Sequence, residues 1–443
     1  MKAIVHTTVG KSSFQDTLIP FASDAQGIEN QVVNLYPELT FETFEGFGGA
    51  ITDAAGYVYA QMDPAQREQV MRAYFSPEGL NYNRVRIPLD SCDFSTGMYE
   101  AMSDPTDRAL RSFSFARTEQ YILPMLRDAE RAAGHPLKLT LSPWSPPTFM
   151  KTNHDRKYGG SLKPEFYEFF ADYLCRYVLE FQRRGFQVER LSLQNEAKAV
   201  QTWDSCVYTA QQEKTFLKTL YAAFCRHGLE KQVELFIWDH NKERAYERAE
   251  EIIDSETEKM VSGVACHWYS GDHFESLDLL RTRFPSLRLV LSESCLEYRF
   301  FDAKAEESNA ARLSHEITGD LNHGITAFYD WNLLLDEKGG PNHVGNFCDA
   351  PFRYDTRTGV LEQRMLYQYF YHFAHFIRPG AQRIGMSRYT DQLDVAACRN
   401  KDGTLVAVLL NRGNEALPAV LRLNGEIAQV TVPAGGIATV SIV

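Results

Sequence analysis

Two glutamates, Glu196 and Glu293, each close an apolar stretch of the sequence. Residues 190–196 (RLSLQNE) alternate in the manner of a short strand and stop on an Asn-Glu pair, and residues 288–293 (RLVLSE) stop on a single glutamate. An apolar run that ends in a carboxylate is typical of a barrel strand whose last residue faces an active site. The alternative for either glutamate alone is an ion pair at the barrel rim. We expect the two carboxylates to meet across one pocket.

Tryptophans cluster at the ends of the strand-like runs. The chain has five, of which Trp144, Trp238, Trp268 and Trp331 stand at such ends, and Trp203 lies in the loop after the fourth run. An aromatic ring offers a flat apolar face on which a pyranose can stack, while polar side chains bind its hydroxyls. This pattern indicates a sugar pocket, although Trp238 and Trp268 could equally cap the barrel structurally.

A carboxylate pair in a sugar pocket can hydrolyse a glycosidic bond. One carboxyl group donates a proton to the leaving oxygen and the other attacks the anomeric carbon; a separation of about 5 to 5.5 Å gives retention of configuration. Arg86 lies in the second run, at 83–89. Because a nearby cation lowers the pKa of a carboxyl group, we expect Arg86 to hold Glu293 ionised.

A metal-dependent hydrolase is the main chemical alternative. His240, His267 and Asp330 end the fifth, sixth and eighth runs. Such a site needs more ligands, typically a His-x-His on the first strand and a bridging Lys on the fourth, and both are absent from the sequence. No lysine ends a strand where a Schiff base would form, and no serine lies in a G-x-S-x-G elbow. We therefore expect no metal and no cofactor.

The elements that must position these residues alternate regularly. Eight apolar runs lie at 44–50, 83–89, 138–144, 188–196, 233–240, 263–269, 288–293 and 324–332. Eight helical patterns lie at 64–75, 116–133, 164–184, 209–227, 243–254, 273–284, 306–321 and 362–377. Eight strand–helix units predict a (β/α)8 TIM barrel of class α/β. A doubly wound sheet is the rival, but Gly46–Gly49 lacks the G-x-G-x-x-G spacing of its phosphate turn.

A second, all-β unit follows the barrel. Strand patterns at 394–398, 405–410, 419–423, 430–432 and 439–443 are separated by turn residues. They predict a small β-sandwich, and short strands at 3–7 and 31–35 have no other place to pair. We therefore expect N-terminal strands in residues 1–43, a catalytic barrel in 44–377 and a C-terminal β-sandwich in 378–443.

Charge and cysteine content limit the partners and the compartment. The 443 residues carry a net charge of −12, which argues against nucleic acid as a partner. No run of about 18 apolar residues is present, so we expect no integral membrane association, and the N-terminus lacks the apolar core of a signal peptide. Eight cysteines without a C-x-x-C pair favour buried thiols over disulfides. We expect a cytoplasmic protein; the oligomeric state stays open.

Several motifs resemble glycoside hydrolase family 30. They are residues 46–55 (GFGGAITDAA), 86–88 with 91–95, 142–144 with 150–153, Asn195–Glu196, 267–269, 292–293, 331–332, 339–342 and 346–347. They cover the whole barrel and come in the order of the family. The similarity is greatest to the glucosylceramidase branch, which also contains microbial β-1,6-glucanases and β-glucosidases.

The resemblance implies a retaining β-glycosidase and assigns roles to residues. Glu196 would be the acid/base and Glu293 the nucleophile. The residues implied to bind substrate or to position the nucleophile are Arg86, Asp93, Trp144, Asn195, His267, Tyr269, Trp331 and Asn346. Of these, Asn195 would bind the sugar 2-hydroxyl, and Arg86, His267 and Tyr269 would tune Glu293.

Departures from the family fall on the leaving-group side. Ala197 stands where members often have Pro, loop 198–208 looks short and carries Trp203, and the fifth run ends in residues 238–242 (WDHNK). The expected reaction is hydrolysis of β-D-glucosidic bonds in a gluco-oligosaccharide, aryl glucoside or lipid glucoside. The alternatives are a retaining β-glycosidase for xylose, galactose or fucose, and a carbohydrate-binding barrel without catalysis.

Overall fold

Four strands come before the barrel. The computed structural model describes residues 1–10 and 15–443, and in it these strands are β1 (Lys2–Thr8), β2 (Gln15–Pro20), β3 (Ala22–Ser23) and β4 (Val32–Thr43). The patterns at 3–7 and 31–35 correspond to β1 and to the start of β4. β2 and β3 carry no clear alternation and were not expected as strands.

Eight parallel strands close a barrel in chain order, which confirms the predicted (β/α)8 fold. They are β5 (Gly46–Ala50), β6 (Arg84–Leu89), β7 (Lys138–Pro143), β8 (Gln187–Ser192), β9 (Glu234–Asn241), β10 (Gly263–His267), β11 (Arg288–Glu293) and β12 (Ile325–Asn332). The helices between them are α1 (Asp53–Gln61), α2 (Pro64–Phe75), α3 (Ala116–Ala133), α4 (Tyr167–Arg183), α5 (Ala210–His227), α6 (Ala245–Ile252), α7 (Phe274–Arg283) and α8 (Glu306–Asn322). Among the described residues, no helix combines the length and apolarity needed to cross a membrane.

The glycines of Gly46–Gly49 allow close packing of neighbouring strands in the barrel wall. They lie in β5, where a Cβ atom on Gly48 would come within 2.4 Å of the Arg84 carbonyl oxygen of β6. No side chain larger than hydrogen fits at that distance, so glycine lets the two strands approach. The glycine-rich stretch therefore belongs to strand packing, which removes the basis for a doubly wound sheet.

The barrel interior is filled in layers. At the N-terminal end, Arg84 and Arg190 are fully buried and both pair with Glu45. Above them lies an apolar layer made of Phe236, Ala265, Val290, Ala327 and Tyr329. Such filling makes the barrel a packed core that supports a site at its C-terminal end.

The chain after β12 builds a small sheet, a last helix and the sandwich. The remaining elements are β13 (Leu334–Asp336), β14 (Phe352–Asp355), β15 (Val360–Gln363), α9 (Met365–Ala374), β16 (Gln382–Ser387), β17 (Leu393–Arg399), β18 (Leu405–Asn411), β19 (Leu417–Leu423), β20 (Glu426–Val432) and β21 (Ile437–Ile442). One sheet runs β2-β1-β21-β18-β17-β16-β4-β19-β20-β3. Both ends of the chain therefore lie in the predicted β-sandwich.

The sandwich packs on the barrel through strands such as β17, which is buried on both faces. In β17, Val395 and Ala397 belong to the sandwich core, whereas Ala396 and Cys398 join the barrel core. Side chains alternate across a strand, so one strand serves two cores. This shared packing fixes the barrel relative to the sandwich.

Candidate active site

Glu196 and Glu293 line the same cavity, which has a volume of about 210 Å³. Glu293 is the last residue of β11, as predicted. Glu196 lies four residues beyond the end of β8 at Ser192, so the expectation that the fourth strand runs to Glu196 was wrong. The Glu196 NH donates to the Asp239 carbonyl at 2.8 Å, which draws this segment out of the strand and into a turn.

Glu196, Trp238 and Asp239, which lie close together at this end of the barrel, have left-handed backbones. The φ angles are 49° at Glu196, 76° at Trp238 and 46° at Asp239. Where β9 pairs with β10 the register shifts between Ala265 and Cys266, opposite Trp238 and His240. Such conformations are costly for residues other than glycine and cluster at active sites.

The Glu293 carboxylate is held from two sides. Its Oε2 atom forms an ion pair with the Arg86 guanidinium, and its Oε1 atom accepts a hydrogen bond from the Tyr269 hydroxyl at 2.9 Å. Arg86 is fully buried and Glu293 is nearly so. Both partners favour the ionised carboxylate.

Arg86 connects the strands that carry the site. Its Nη2 atom donates to Asn195 Oδ1 at 2.9 Å and to Asp239 Oδ2 at 2.8 Å. The guanidinium carbon also lies 4.9 Å from the centre of the Trp144 ring and 5.5 Å from that of Trp331. One fixed cation therefore orients side chains from several strand ends.

Asp239 is a central residue that the sequence reasoning did not select. It accepts hydrogen bonds from Ser292 Oγ at 2.5 Å and Ser142 Oγ at 2.7 Å, and its Oδ1 atom lies 3.1 Å from His267 Nε2. Burial opposes its ionisation, but Arg86 and His267 hold the pKa of Asp239 far below its usual range. The available signal was its position at the end of the fifth apolar run.

Two histidines flank Glu196. The Glu196 Oε1 atom lies 3.4 Å from His267 Nδ1 and 3.7 Å from His240 Nδ1. Against the effect of burial, Glu293, Asp239 and Glu196 raise the pKa of His267 to about 9. Asp330, the third candidate ligand of the metal-dependent alternative, does not line this cavity. Its carboxylate accepts a hydrogen bond from the Trp331 NH at 2.9 Å.

The two glutamates influence each other's ionisation. Burial raises the pKa of Glu293 and the charge on Glu196 adds to this effect, while His267, Arg86 and Tyr269 oppose it. Burial also acts on Glu196, but the hydrogen bond from His267 and the charge of His240 lower the pKa of that group. Without substrate, the pair therefore keeps Glu196 as the more acidic member.

Most of the sequence-predicted binding residues surround the cavity. Those that line it are Asp93, Trp144, Asn195, Trp203, Tyr269, Trp331 and Asn346, together with the unpredicted Phe94, Gln201, His240, Asn241, Cys295, Glu297, Arg299, Phe300 and Cys348. Arg86 and His267 are fully buried behind this lining and reach the cavity through Glu293 and Glu196.

Asp93 faces the cavity, and its carboxyl group titrates at a higher pH than an ordinary aspartate. Its Oδ2 atom accepts hydrogen bonds from Asn342 Nδ2 at 3.2 Å and Asn346 Nδ2 at 3.3 Å. Burial first, and then the charge on Glu293, raise the pKa of Asp93 to about 7, against the two asparagines.

The five tryptophans divide between the cavity and its surroundings. Trp144 and Trp331 stack on each other with ring centres 5.4 Å apart, and Trp203 also lines the cavity. Trp268 stacks on Phe301 beside a second cavity. Trp238 is buried against Arg248, and its indole NH donates to a backbone carbonyl.

Comparison with known proteins matches both parts of the chain. Residues 44–377 match the model of the glycosyl hydrolase family 30 TIM-barrel domain, and residues 380–440 match that of the glycosyl hydrolase family 30 beta sandwich domain.

Individual relatives agree with these matches. The lysosomal acid glucosylceramidase of Mus musculus is 30% identical over 88% of this chain and 79% of its own length. The endo-1,6-beta-D-glucanase of Neurospora crassa is 24% identical over 87% of this chain and 82% of its own. The crystal structure of SrfJ from Salmonella typhimurium superposes with a TM-score of 0.96 at 34% identity, covering 100% of this chain and 99% of that one. A barrel with two facing glutamates and these matches leads to one assignment: the chain belongs to glycosyl hydrolase family 30 and is a glycoside hydrolase.

Proposed function

We propose that the enzyme hydrolyses β-D-glucosidic bonds by double displacement, with retention of anomeric configuration. The observation that carries the proposal is the placement of Glu196 and Glu293 on one cavity, with Glu293 bound to Arg86 and Tyr269. A fixed, charge-paired carboxylate suits attack on carbon, and a carboxyl group in contact with a histidine that can exchange a proton suits general acid/base catalysis.

The first step transfers the sugar to Glu293. An oxygen of the Glu293 carboxylate attacks the anomeric carbon as the glycosidic bond breaks, and Glu196 donates its proton to the leaving oxygen. The product is a glycosyl ester of Glu293 and a free alcohol. In the second step Glu196 takes a proton from water, whose oxygen displaces Glu293 and releases the sugar with its original configuration.

We infer that the proton for Glu196 comes from its contact with His267. The His267 ring carries a proton at neutral pH, and its Nδ1 atom lies 3.4 Å from Glu196. Asp239 on the opposite ring nitrogen stabilises the imidazolium at rest. This proton must reach Glu196 before or during the attack by Glu293, because Glu196 gives it to the leaving oxygen in the first step.

The size of the cavity favours an enzyme that binds and releases a single sugar ring. Its volume of about 210 Å³ is below the roughly 300–1,000 Å³ typical of pockets for drug-sized ligands. Arg86 engages the Asn195 oxygen, which leaves the Asn195 NH₂ as a donor for the sugar 2-hydroxyl. We propose that Asp93 and Asn346 bind further hydroxyls beside Trp144 and Trp331.

A second cavity offers space for the leaving group. It has a volume of about 240 Å³ and shares Tyr269, Cys295, Glu297 and Phe300 with the first. Trp268 and Phe301 give it an aromatic wall. Such a wall can stack on a second sugar or contact an aryl or lipid group, which is consistent with both the glucosylceramidase of mouse and the 1,6-glucanase of Neurospora crassa as relatives.

A cytoplasmic location is part of the proposal. It is supported by eight free thiols, seven of them buried, within residues 1–10 and 15–443. Free thiols persist where the compartment is reducing.

A substrate panel with product analysis tests the proposal. The panel contains 4-nitrophenyl β-glucoside, β-xyloside, β-galactoside and β-fucoside, with β-1,6-glucan and glucosylceramide, and NMR identifies the first anomer formed. We expect the glucoside to react fastest and to give β-glucose first. α-Glucose as the first product would contradict double displacement, a faster non-gluco substrate would change the sugar, and binding without turnover would indicate a carbohydrate-binding barrel.

A further inference from the structure

Glu196, His240 and His267 form a cluster with the composition of a metal site. One ligand atom from each residue, a carboxylate oxygen and two imidazole nitrogens, lies within 4.8 Å of the other two. We propose that this cluster binds a divalent transition-metal ion such as Zn²⁺, and that the bound ion inhibits the enzyme. Imidazole and carboxylate are ligands that zinc takes in proteins.

The two ligand-atom distances that involve Glu196 are near those of a tetrahedral zinc site. Ligands about 2.0 to 2.1 Å from a tetrahedral zinc ion lie about 3.3 Å from one another. The Glu196 Oε1 atom is 3.4 Å from His267 Nδ1 and 3.7 Å from His240 Nδ1. The nitrogens of His240 and His267 lie within 4.8 Å of each other, so rotation of the His240 ring toward His267 and Glu196 would complete three bonds and leave the fourth position to water.

His240 provides the observation that the hydrolysis does not explain. Its Nδ1 atom is buried and, within the part of the chain that the structure describes, has no hydrogen-bond partner. The ring is held against Trp238 with ring centres 5.1 Å apart, and Nδ1 is directed toward Glu196. A buried nitrogen without a partner costs free energy, and a metal ion would satisfy it.

His267 already has the orientation of a metal-binding histidine. Its Nε2 atom lies 3.1 Å from Asp239 Oδ1, and Asp239 is fixed in turn by Ser292. Histidines that bind a metal usually donate their second ring NH to a carboxylate, which selects the tautomer and raises the basicity of the other nitrogen. Metal binding releases the Nδ1 proton that His267 carries at neutral pH; Nε2–H then stays on Asp239, and the Nδ1 lone pair binds the ion.

Metal binding here would stop the reaction. The ion would occupy the Glu196 oxygen that must exchange a proton with the leaving group and with water. Inhibition thus rests on the proposed function of Glu196, whereas metal binding by itself does not.

Calorimetric titration of the full-length, chelator-treated protein with ZnCl₂ tests the binding. We expect one site, at least tenfold weaker in His240→Asn and also weaker in Glu196→Gln, which exchanges a carboxylate for a poor ligand. His135→Asn removes an exposed histidine far from the site and should leave the affinity unchanged. Thermal melting of each variant confirms that it is folded. Equal affinity in wild type and His240→Asn, or no binding by folded wild type, would overturn the site.

Hydrolysis of an aryl β-glucoside tests the inhibition. Zn²⁺ should lower the rate and EDTA should restore it. The Zn²⁺ concentration that halves the rate should be at least tenfold higher in His240→Asn than in wild type, with the rates of each protein expressed relative to its own rate without zinc. Activation by Zn²⁺, or binding without inhibition, would contradict the blocking role. A metal-free protein that cleaves no glycoside would contradict the proposed function, and the calorimetric result would still decide the site.

Discussion

At the scale of single residues, two neighbours hold the Glu293 carboxylate. Arg86 supplies a charge and Tyr269 a hydrogen bond at 2.9 Å, and both favour the ionised form against burial. A hydrogen bond to a charged group contributes roughly 1.5–3 kcal/mol. A contribution of that size is enough to decide at which pH Glu293 is ionised.

We predict that Tyr269→Phe moves the acidic limb of the kcat/KM profile to higher pH. The Tyr269 hydrogen bond lowers the pKa of Glu293, so loss of its hydroxyl raises that pKa further. The rate should therefore fall most at low pH, and Tyr57→Phe at an exposed position serves as control. An acidic limb at the wild-type pH, with activity lowered equally at all pH values, would contradict this role.

Asp93 should show a conflict between activity and stability. Its folded pKa of about 7 lies above the unfolded value of about 3.9, so the folded state holds its proton more tightly and stability falls as pH rises between the two values. We predict that Asp93→Asn loses roughly 10–150-fold in kcat/KM. The same variant should gain a few kcal/mol in the free energy of unfolding at pH 8 relative to wild type.

The gain in the free energy of unfolding of Asp93→Asn should vanish near pH 4, where Asp93 in the folded wild type is as neutral as the asparagine of the variant. Urea unfolding of wild type and variant at the two pH values measures it, with the exposed Asp391→Asn as control. A stability difference that does not change with pH would show that Asp93 is not the buried acid described here.

The sequence was sufficient to find the two glutamates because each ends an apolar run. Asp239 also stands at the end of an apolar run, but its importance comes from contacts with Arg86, Ser292 and His267, which lie on three other strands. The sequence also did not predict that Glu196 lies beyond the end of β8. The Glu196 NH binds the carbonyl of Asp239, which is distant in the chain.

At the scale of elements, a buried charge cluster ties the end of β9 to α8. Lys242, directly after β9, forms an ion pair with Glu316 and lies 3.0 Å from Asp320, and all three side chains are fully inaccessible. This contact supports the segment that carries Asp239 and His240. Removing one partner from a buried ion pair is far costlier than removing an exposed charge.

We predict that Lys242→Met lowers the free energy of unfolding by about 3–5 kcal/mol, because two buried carboxyl groups lose their cation. The exposed Lys231→Met is the matched control and should change it by less than about 0.5 kcal/mol. Denaturant unfolding of the two variants gives the comparison. Equal stability of both would mean that the cluster does not hold β9 and α8 together.

Elements with local signals were predictable, and those without were not. Helix α2 was predicted to the residue, because Asp63 and Gln66 form a capping box ahead of the pattern and Pro64 occupies the first turn. Helix α1 was missed, because it is short and buried on most sides and so lacks an amphipathic period. Strand β16 was missed as well; it is held by tertiary pairing with β4.

At the scale of the whole molecule, His372 links the barrel to the sandwich. It lies on α9 and is fully buried, with Nδ1 2.8 Å from Thr439 Oγ1 of β21 and Nε2 2.9 Å from Thr8 Oγ1 of β1. Burial lowers the pKa of His372 to about 3. The neutral ring therefore joins the two parts of the chain.

This histidine should make the molecule sensitive to acid. Below pH 6.5 the unfolded chain binds a proton at this position and the folded chain does not, so stability falls as pH decreases. We predict that wild type loses about 2 kcal/mol relative to His372→Gln between pH 7 and pH 5, since glutamine keeps hydrogen-bonding groups but does not titrate. Stability curves that stay parallel over this range would contradict the buried neutral state.

The central claim is that Glu293 is the nucleophile and Glu196 the acid/base of a retaining glucosidase. The most direct test is to supply azide to Glu196→Ala and Glu293→Ala during cleavage of 2,4-dinitrophenyl β-glucoside, and to determine the anomeric configuration of each glucosyl azide by NMR. In Glu196→Ala, azide should attack the glycosyl ester of Glu293 and give the β-azide. In Glu293→Ala, it should attack the substrate directly and give the α-azide. The reverse assignment of products would exchange the two roles, and the α-azide from both variants would contradict a covalent intermediate.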